Sequence, residues 1–186
     1  MTQYLFGYGS LINQQSRQLT GQVGETYPAV VNNLVRYWGS IDRSYSLSPL
    51  VAKLGEGQTN GVLMVIEPQD LALFDQRERG YQRVALDNHH IDSDVPLTDN
   101  CQVWVYIQPN SPPPNPQSPI ALSYLDTVLS GCLSFSLEFA EHFIAHTQGW
   151  QHGWLDDRYA PLYSRNPGIS ADHLTQIDQL LTEITV

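Results

Sequence analysis

Tyr4-Leu5-Phe6-Gly7-Tyr8-Gly9-Ser10-Leu11 is the stretch on which the reading of this chain turns. It starts as a short aromatic strand and runs into a glycine-containing turn. Glycine at the end of a strand lets backbone approach a ligand closely. Consecutive amides at a turn that leads into a helix can hold a carboxylate or an oxyanion. Taken alone, the pattern is a weak signal, because most strand-Gly-Ser turns are simply turns. It lacks the later glycines of a dinucleotide loop and the lysine of a phosphate loop, so nucleotide binding is rejected.

Working outward, the first two-thirds of the chain reads as mostly β. Strands are expected over residues 27–38, 47–54, 82–91 and 101–108. Gly61-Val62-Leu63-Met64-Val65-Ile66 is a continuous apolar run of strand length, as expected for a strand buried on both faces. One helix interrupts this region over residues 68–79. Pro68 suits its first position, Asp70 suits the dipole at its start, and Gly80 suits a left-handed stop. Residues 109–119 hold Pro109, Pro112, Pro113, Pro114, Pro116 and Pro119. That segment is an extended loop between a β half and an α half, or alternatively a polyproline ligand. Three helices follow. The first covers residues 120–129 and stops near Gly131. The second covers 137–147, with Ser136 as N-cap and Gly149 as stop. In the third, Leu174, Ile177, Leu180, Leu181 and Ile184 form one apolar face, capped by Ser170. Residues 150–159, rich in aromatics and without a clear period, either wrap the body or shape a pocket.

Composition limits the function classes. The chain has 186 residues, 41% hydrophobic and 10% aromatic, which fits one globular domain. Lys+Arg number 9 against 19 Asp+Glu, a net charge of -10. Such a surface repels phosphate backbones and anionic membranes, so neither nucleic acid nor membrane is expected as a partner. The apolar runs are far shorter than the ~20 residues of a membrane span, and the N-terminus lacks signal-peptide features. Cys101 and Cys132 have neither CxxC nor zinc spacing, which fits a reduced, cytoplasmic setting, although two cysteines can still pair. Cys101 reads as strand core and Cys132 as helix packing beside Gly131. Neither has the electropositive surroundings of a thiol nucleophile. No heptad or interface patch speaks to oligomeric state.

The informative titratable group is Glu78. Counting from Leu71 at about 100° per residue, Phe74 lies at about 300° and Glu78 at about 340°. Glu78 therefore sits between apolar side chains on the inward face. Burial and the helix C-terminus both favour its neutral form, and a glutamate near neutrality is a competent general acid/base. The alternative is that Arg77, Arg79 or Arg83 pairs with it and gives it a structural role. Other candidates are weaker. His142 and His146 lie one turn apart but without the His-Glu-x-x-His order, so they read as helix-surface histidines. His89 and His90 fall in a strand, where neighbours point to opposite faces. No nucleophile elbow is present.

Together, Phe6-Gly7-Tyr8-Gly9-Ser10-Leu11 resembles the Tyr-Gly-Ser-Leu signature of the γ-glutamylcyclotransferase-like superfamily. Gly61-Val62-Leu63, before a helix ending Phe74-Asp75-Gln76-Arg77-Glu78-Arg79-Gly80-Tyr81, resembles its second signature, in which the glutamate is catalytic. The resemblance covers roughly residues 4–12 and 61–86. It implies an α+β fold, a small mixed β-barrel with surrounding helices, and a pocket joining the two signatures. It also implies release of 5-oxoproline from γ-glutamyl compounds, with no cofactor or metal. Glu78 would be the acid/base, and Tyr8, Gly9, Ser10 and Leu11 the anion-binding loop. Tyr81 and Tyr124 would be pocket-wall residues. The compact Glu78-Arg79-Gly80-Tyr81 leans toward the γ-glutamylamine, AIG2-like or general branch rather than the glutathione-specific one. The rival expectations are a non-catalytic protein that binds a small γ-glutamyl ligand in the same pocket, and a docking surface made of residues 150–159 and the proline loop.

Overall fold

The computed structural model describes residues 1–19, 24–41 and 46–184, with the side chain of Arg77 left aside. Among the described residues, seven strands form one sheet: β1 (Thr2–Gly7), β2 (Thr26–Trp38), β3 (Leu50–Ile66), β4 (Gln82–Leu86), β5 (Ile91–Ser93), β6 (Cys101–Ile107) and β7 (Thr147–Gln148). The α-helices of the described residues are α1 (Gln14–Gln18), α2 (Leu71–Arg77), α3 (Leu122–Leu133), α4 (Leu137–Ala145) and α5 (Ala171–Thr182). The sheet order is β4-β6-β1-β3-β2-β5, with β7 beside β2. β1 runs parallel to β6 and β7 parallel to β2, and the other pairs are antiparallel.

The α+β class is as expected, but the barrel is not closed: among the described residues, β4 and β5 remain as edges. The sheet is rolled far enough for Gln108, just past β6, to donate its N–H to the Ala52 carbonyl of β3 at 2.8 Å. The strands expected over residues 47–54 and 61–66 are one strand of 17 residues, Leu50–Ile66, and residues 47–49 precede it. Between the two expected segments lie Gly55 and Gly57. The ladder to β2 carries the strand through them, and an irregularity around Asn33, which has φ 61°, absorbs the mismatch. The expected strand over residues 82–91 splits into β4 and β5. Asp87 accepts from the His89 N–H at 3.0 Å and caps a 3-10 turn over Asn88–His90, so the two histidines lie in a turn and not in a strand. The chain then crosses to the opposite edge of the sheet.

Gly131 does not stop α3. A Cβ there would sit 2.6 Å from the Asn13 nitrogen, so the glycine lets α3 lie directly against the backbone that follows β1. α3 is buried along its whole length up to Cys132. Ser136 and Ser170 cap α4 and α5 as expected. The proline loop packs on the body: the Pro112 and Pro119 carbonyls accept from the Ser40 and Ser48 N–H groups, each at 2.7 Å. Of residues 150–159, Trp150 packs against Trp38, with centroids 5.5 Å apart. Asp157 accepts from the Ser123 N–H and hydroxyl at 2.7 and 2.6 Å, fixing the first turn of α3. This segment wraps the body, and residues 162–165 just beyond it reach the cavity described next. Both cysteines are free thiols, Cys132 fully buried and Cys101 half-buried. Among the described residues no helix is long and apolar enough to cross a membrane.

Candidate active site

The two sequence signatures meet because β1 and β3 are neighbours, with Gly7 opposite Val62. A Cβ on Gly61 would run into the Gly7 carbonyl and come within 2.8 Å of the Phe6 ring, so this crossing requires glycine. β3 ends at Ile66, opposite Gln3, at the far end of β1 from Tyr8. The return path corrects this. From Gln3 to Tyr8 a strand spans about 17 Å, and ten helical residues span about 15 Å. The 3-10 turn Pro68–Asp70 and α2 cover that distance, anchored by buried Phe74, and deliver Glu78 beside the Tyr8 turn.

Glu78 occupies the position just after α2 rather than a place within it, with φ -88° and ψ 37°. The helix therefore ends earlier than its apolar spacing implies. The turn is nonetheless well fixed. Glu78 N–H donates to Phe74 O at 2.8 Å and Tyr81 N–H to Glu78 O at 2.9 Å. The Gln108 side chain donates to Gly80 O at 2.7 Å, and Gly80 has the expected positive φ, 97°. Of the three arginines proposed as partners for Glu78, Arg83 is engaged with Asp75 at 3.0 Å, and Arg79 makes no ion pair among the described residues. The Glu78 side chain itself is half-buried and not without a partner.

A cavity of about 470 Å³ opens here. Glu78, Tyr8, Gly9, Ser10, Leu11, Tyr81 and Tyr124, the residues that the resemblance to the family implies for the site, line it. Tyr8 donates its hydroxyl to Tyr106 O at 2.6 Å, and Tyr106 donates in turn to Asp75 at 2.8 Å. This chain ties the loop, β6 and the last turn of α2 together. Burial, then the neighbouring Glu78 carboxylate, pushes the Tyr8 phenol well above its ordinary value. Burial does the same to Tyr124, whose hydroxyl lies against the Ser10 and Leu50 N–H groups.

Sequence reasoning missed the residues behind and opposite the loop. Arg36 is fully buried and donates to Tyr8 O at 3.3 Å, while Arg17 donates to Leu11 O and Ile12 O at 2.6 and 3.0 Å. These guanidiniums hold the loop by its carbonyls from the side away from the cavity. The one signal was an arginine in the apolar run Leu34-Val35-Arg36-Tyr37-Trp38. Tyr106, Tyr163 and Arg165 also line the cavity. The latter two come from a segment without periodicity, and nothing in the sequence marked them. His142 and His146 stack at 4.1 Å away from this cavity. Among the described residues no cluster of side chains is arranged to hold a metal ion.

The family model described as gamma-glutamyl cyclotransferase, AIG2-like, matches residues 5–125. A search of curated protein sequences finds no match. Among solved structures, YkqA from Bacillus subtilis is similar at 21% identity with a TM-score of 0.58, over 78% of this chain and 54% of that one. The chain thus spans about half the length of YkqA. A structure described as gamma-glutamyl cyclotransferase is 14% identical, with a TM-score of 0.59 over 96% of this chain and 99% of that one. The uncharacterized protein loc79017 from Homo sapiens is 14% identical, with a TM-score of 0.56 over 94% and 97%. At these identities the likeness shows a shared fold. The family match spans every strand and turn that builds the cavity wall from Leu5 to Tyr124, and the chain belongs to the gamma-glutamyl cyclotransferase, AIG2-like family.

Proposed function

We propose that the chain releases 5-oxoproline from γ-glutamyl compounds, with Glu78 as general acid/base and Tyr8 to Leu11 as the loop that receives the substrate's negative charge. The observation that carries this reading is the convergence of both signatures on one cavity. The chemistry asks little else of the protein, because the nucleophile is the substrate's own α-amine. Glu78 takes a proton from the α-ammonium. The amine attacks the γ-carbonyl carbon, forming the ring C–N bond while the carbonyl oxygen takes on negative charge beside the loop amides. The carbonyl reforms, the old amide C–N bond breaks, and Glu78 returns its proton to the departing amine; it then passes the extra proton of the ring nitrogen to the same amine, which leaves as an ammonium ion. Holding the glutamyl chain folded supplies much of the rate, and a wall of Tyr8, Tyr81, Tyr106 and Tyr124 suits that task. No step calls for a cofactor.

The test is 5-oxoproline release from glutathione, γ-glutamyl-alanine and γ-glutamyl-ε-lysine, wild type beside Glu78→Gln. We expect release by the wild type and a loss of at least about 100-fold in kcat in the variant, within the usual contribution of a positioned acid/base. A folded Glu78→Gln protein with full activity would remove Glu78 from the mechanism. A wild type that binds these compounds without product would leave a ligand-binding protein.

A further inference from the structure

The cavity wall carries two charged side chains of opposite sign. Among the described residues that line it, Glu78 and Arg165 are the charged ones. Glu78 stands beside Tyr8 and acts on its phenol. Arg165 belongs to another wall. Its guanidinium lies 5.4 Å from the centre of the Tyr163 ring, and that ring packs edge-on against Tyr124 at 4.8 Å. Tyr163 is buried, so the surface on which Arg165 rests is fixed. The chain has 19 acidic residues, yet Arg165 pairs with no carboxylate among the described residues. Arg83 and Arg158 do pair, with Asp75 and with Asp126 and Asp178. A cation left facing an aromatic cavity is placed for an anion that arrives with the ligand.

A γ-glutamyl amino acid carries two carboxylates. The α-carboxylate shares a carbon with the reacting amine, so it stays at the Glu78 end when that amine is at Glu78. The carboxylate of the departing amino acid lies on the other side of the scissile amide, two bonds beyond its nitrogen. We propose that Arg165 binds this second carboxylate, so that the cavity favours γ-glutamyl α-amino acids over γ-glutamyl amines. The inference rests on the cyclotransferase reading above and narrows its substrate class. It runs against the lean toward amines drawn from the compact turn after Glu78. In γ-glutamyl-ε-lysine the lysine carboxylate lies four carbons further out and misses Arg165.

The experiment compares γ-glutamyl-alanine with γ-glutamyl-alaninamide, which differ only in that carboxylate, for the full chain and for Arg165→Gln. We expect the wild type to prefer the acid by about ten- to hundredfold in kcat/KM, the range a charge-assisted pair spans. Arg165→Gln then treats the two alike, and Arg165→Lys recovers part of the preference. Equal losses on both compounds would assign Arg165 to the α-carboxylate and overturn the proposal, as would a preference that survives in Arg165→Gln. Calorimetric binding of glutaryl-alanine and glutaryl-alaninamide reads the same contrast without turnover, because neither has an amine to cyclise. If the wild type releases no 5-oxoproline, the cyclotransferase reading fails. Binding still decides Arg165: a preference for the acid that Arg165→Gln abolishes upholds it, and no preference overturns it.

Discussion

Replacing Arg36 by methionine tests how the loop is held. Arg36 uses all five of its N–H groups, and every acceptor is neutral. Nε donates to Thr147 Oγ1 at 2.7 Å. One terminal nitrogen donates to Asn60 O at 2.7 Å and Tyr8 O at 3.3 Å, the other to Asn60 Oδ1 at 2.9 Å and Phe143 O at 3.0 Å. The guanidinium also lies 3.7 Å from the centre of the Phe143 ring. Methionine fills much of the same volume but donates nothing. Phe143 O keeps its bond from the Thr147 hydroxyl, so that pair survives. Tyr8 O and both Asn60 oxygens lose their arginine partner. Each buried acceptor left unpaired costs about 1–3 kcal/mol, and at the lower figure three of them cost about 3 kcal/mol.

The opposing effect is relief from burying a cation with no counter-ion, whose signature is that burial pushes the Arg36 pKa down to about 9. Buried ion pairs replaced whole by apolar residues are often neutral in stability because both partners leave together. Here the acceptors stay behind, so destabilisation should win. A loss of about 3 kcal/mol corresponds to a fall in Tm of about 6–12 °C for a chain this long. Thermal and urea unfolding of wild type, Arg36→Met and Arg36→Lys measure it. Lysine keeps the charge but has three donors, so it should fall between the other two. At a temperature where Arg36→Met is still folded, its kcat should also be reduced, because the Tyr8 carbonyl has lost its anchor. An Arg36→Met protein as stable as wild type, or more so, would refute the reasoning and show the buried charge to be a net cost.

Gly9→Ala should act through one contact. Its Cβ would stand 2.8 Å from the Tyr124 hydroxyl, in a ring wedged between Trp38 and Tyr163, so we expect a loss of about 1–3 kcal/mol from overpacking and at least about tenfold in kcat/KM. Adding Tyr124→Phe removes the colliding atom, so the double variant should be more stable than the sum of the singles, and strict additivity would show that the contact is not the cause. A second expectation concerns alkaline pH. Tyr8, Tyr106 and Tyr124 are all raised above the ordinary phenol value, chiefly by burial. Above about pH 10 the unfolded chain releases protons that the folded one keeps, so these phenols should lower stability as pH rises. Phenolate absorbance should show them ionising only with unfolding, and early titration of all ten tyrosines in folded protein would contradict it.

What the sequence revealed was local, and what it hid was distant. β1, β2 and β6 were legible from β-branched and aromatic runs, and α5 from its apolar face. The cap residues Ser136 and Ser170 act on the N–H three positions ahead, so their role is written nearby. Gly131 was misread because its reason lies in Asn13, far away in the chain. The same holds for β3, whose continuity through Gly55 and Gly57 is imposed by β2. The signatures pointed to Glu78 and the loop, but not to the cation that shares their cavity. Arg165 reaches the cavity because Asp157 and the Ala121–Leu155 bridge lay residues 155–165 over α3, and no pattern of side chains announces that path.

On the function proposed above, the arginines explain how so acidic a chain presents an anion-receiving loop. A loop whose carbonyls were free would turn some of them toward the cavity and repel a carboxylate or an oxyanion. Arg17 and Arg36 remove that choice, because each is buried and each bonds to loop carbonyls from behind. Their charge remains close to the loop at neutral pH, since no carboxylate neutralises Arg36 among the described residues. A neutral donor could orient Tyr8 O, but only a cation adds a positive field behind the amides. A lysine would supply that field, but not the five-donor fork that joins β2 to β3, α4 and β7 in one group. The geometry of the loop and its electrostatics therefore rest on the same side chain. For that reason the kcat of Arg36→Lys, which separates field from fork, is the most discriminating value in the set: near wild type if the field dominates, near Arg36→Met if the fork does.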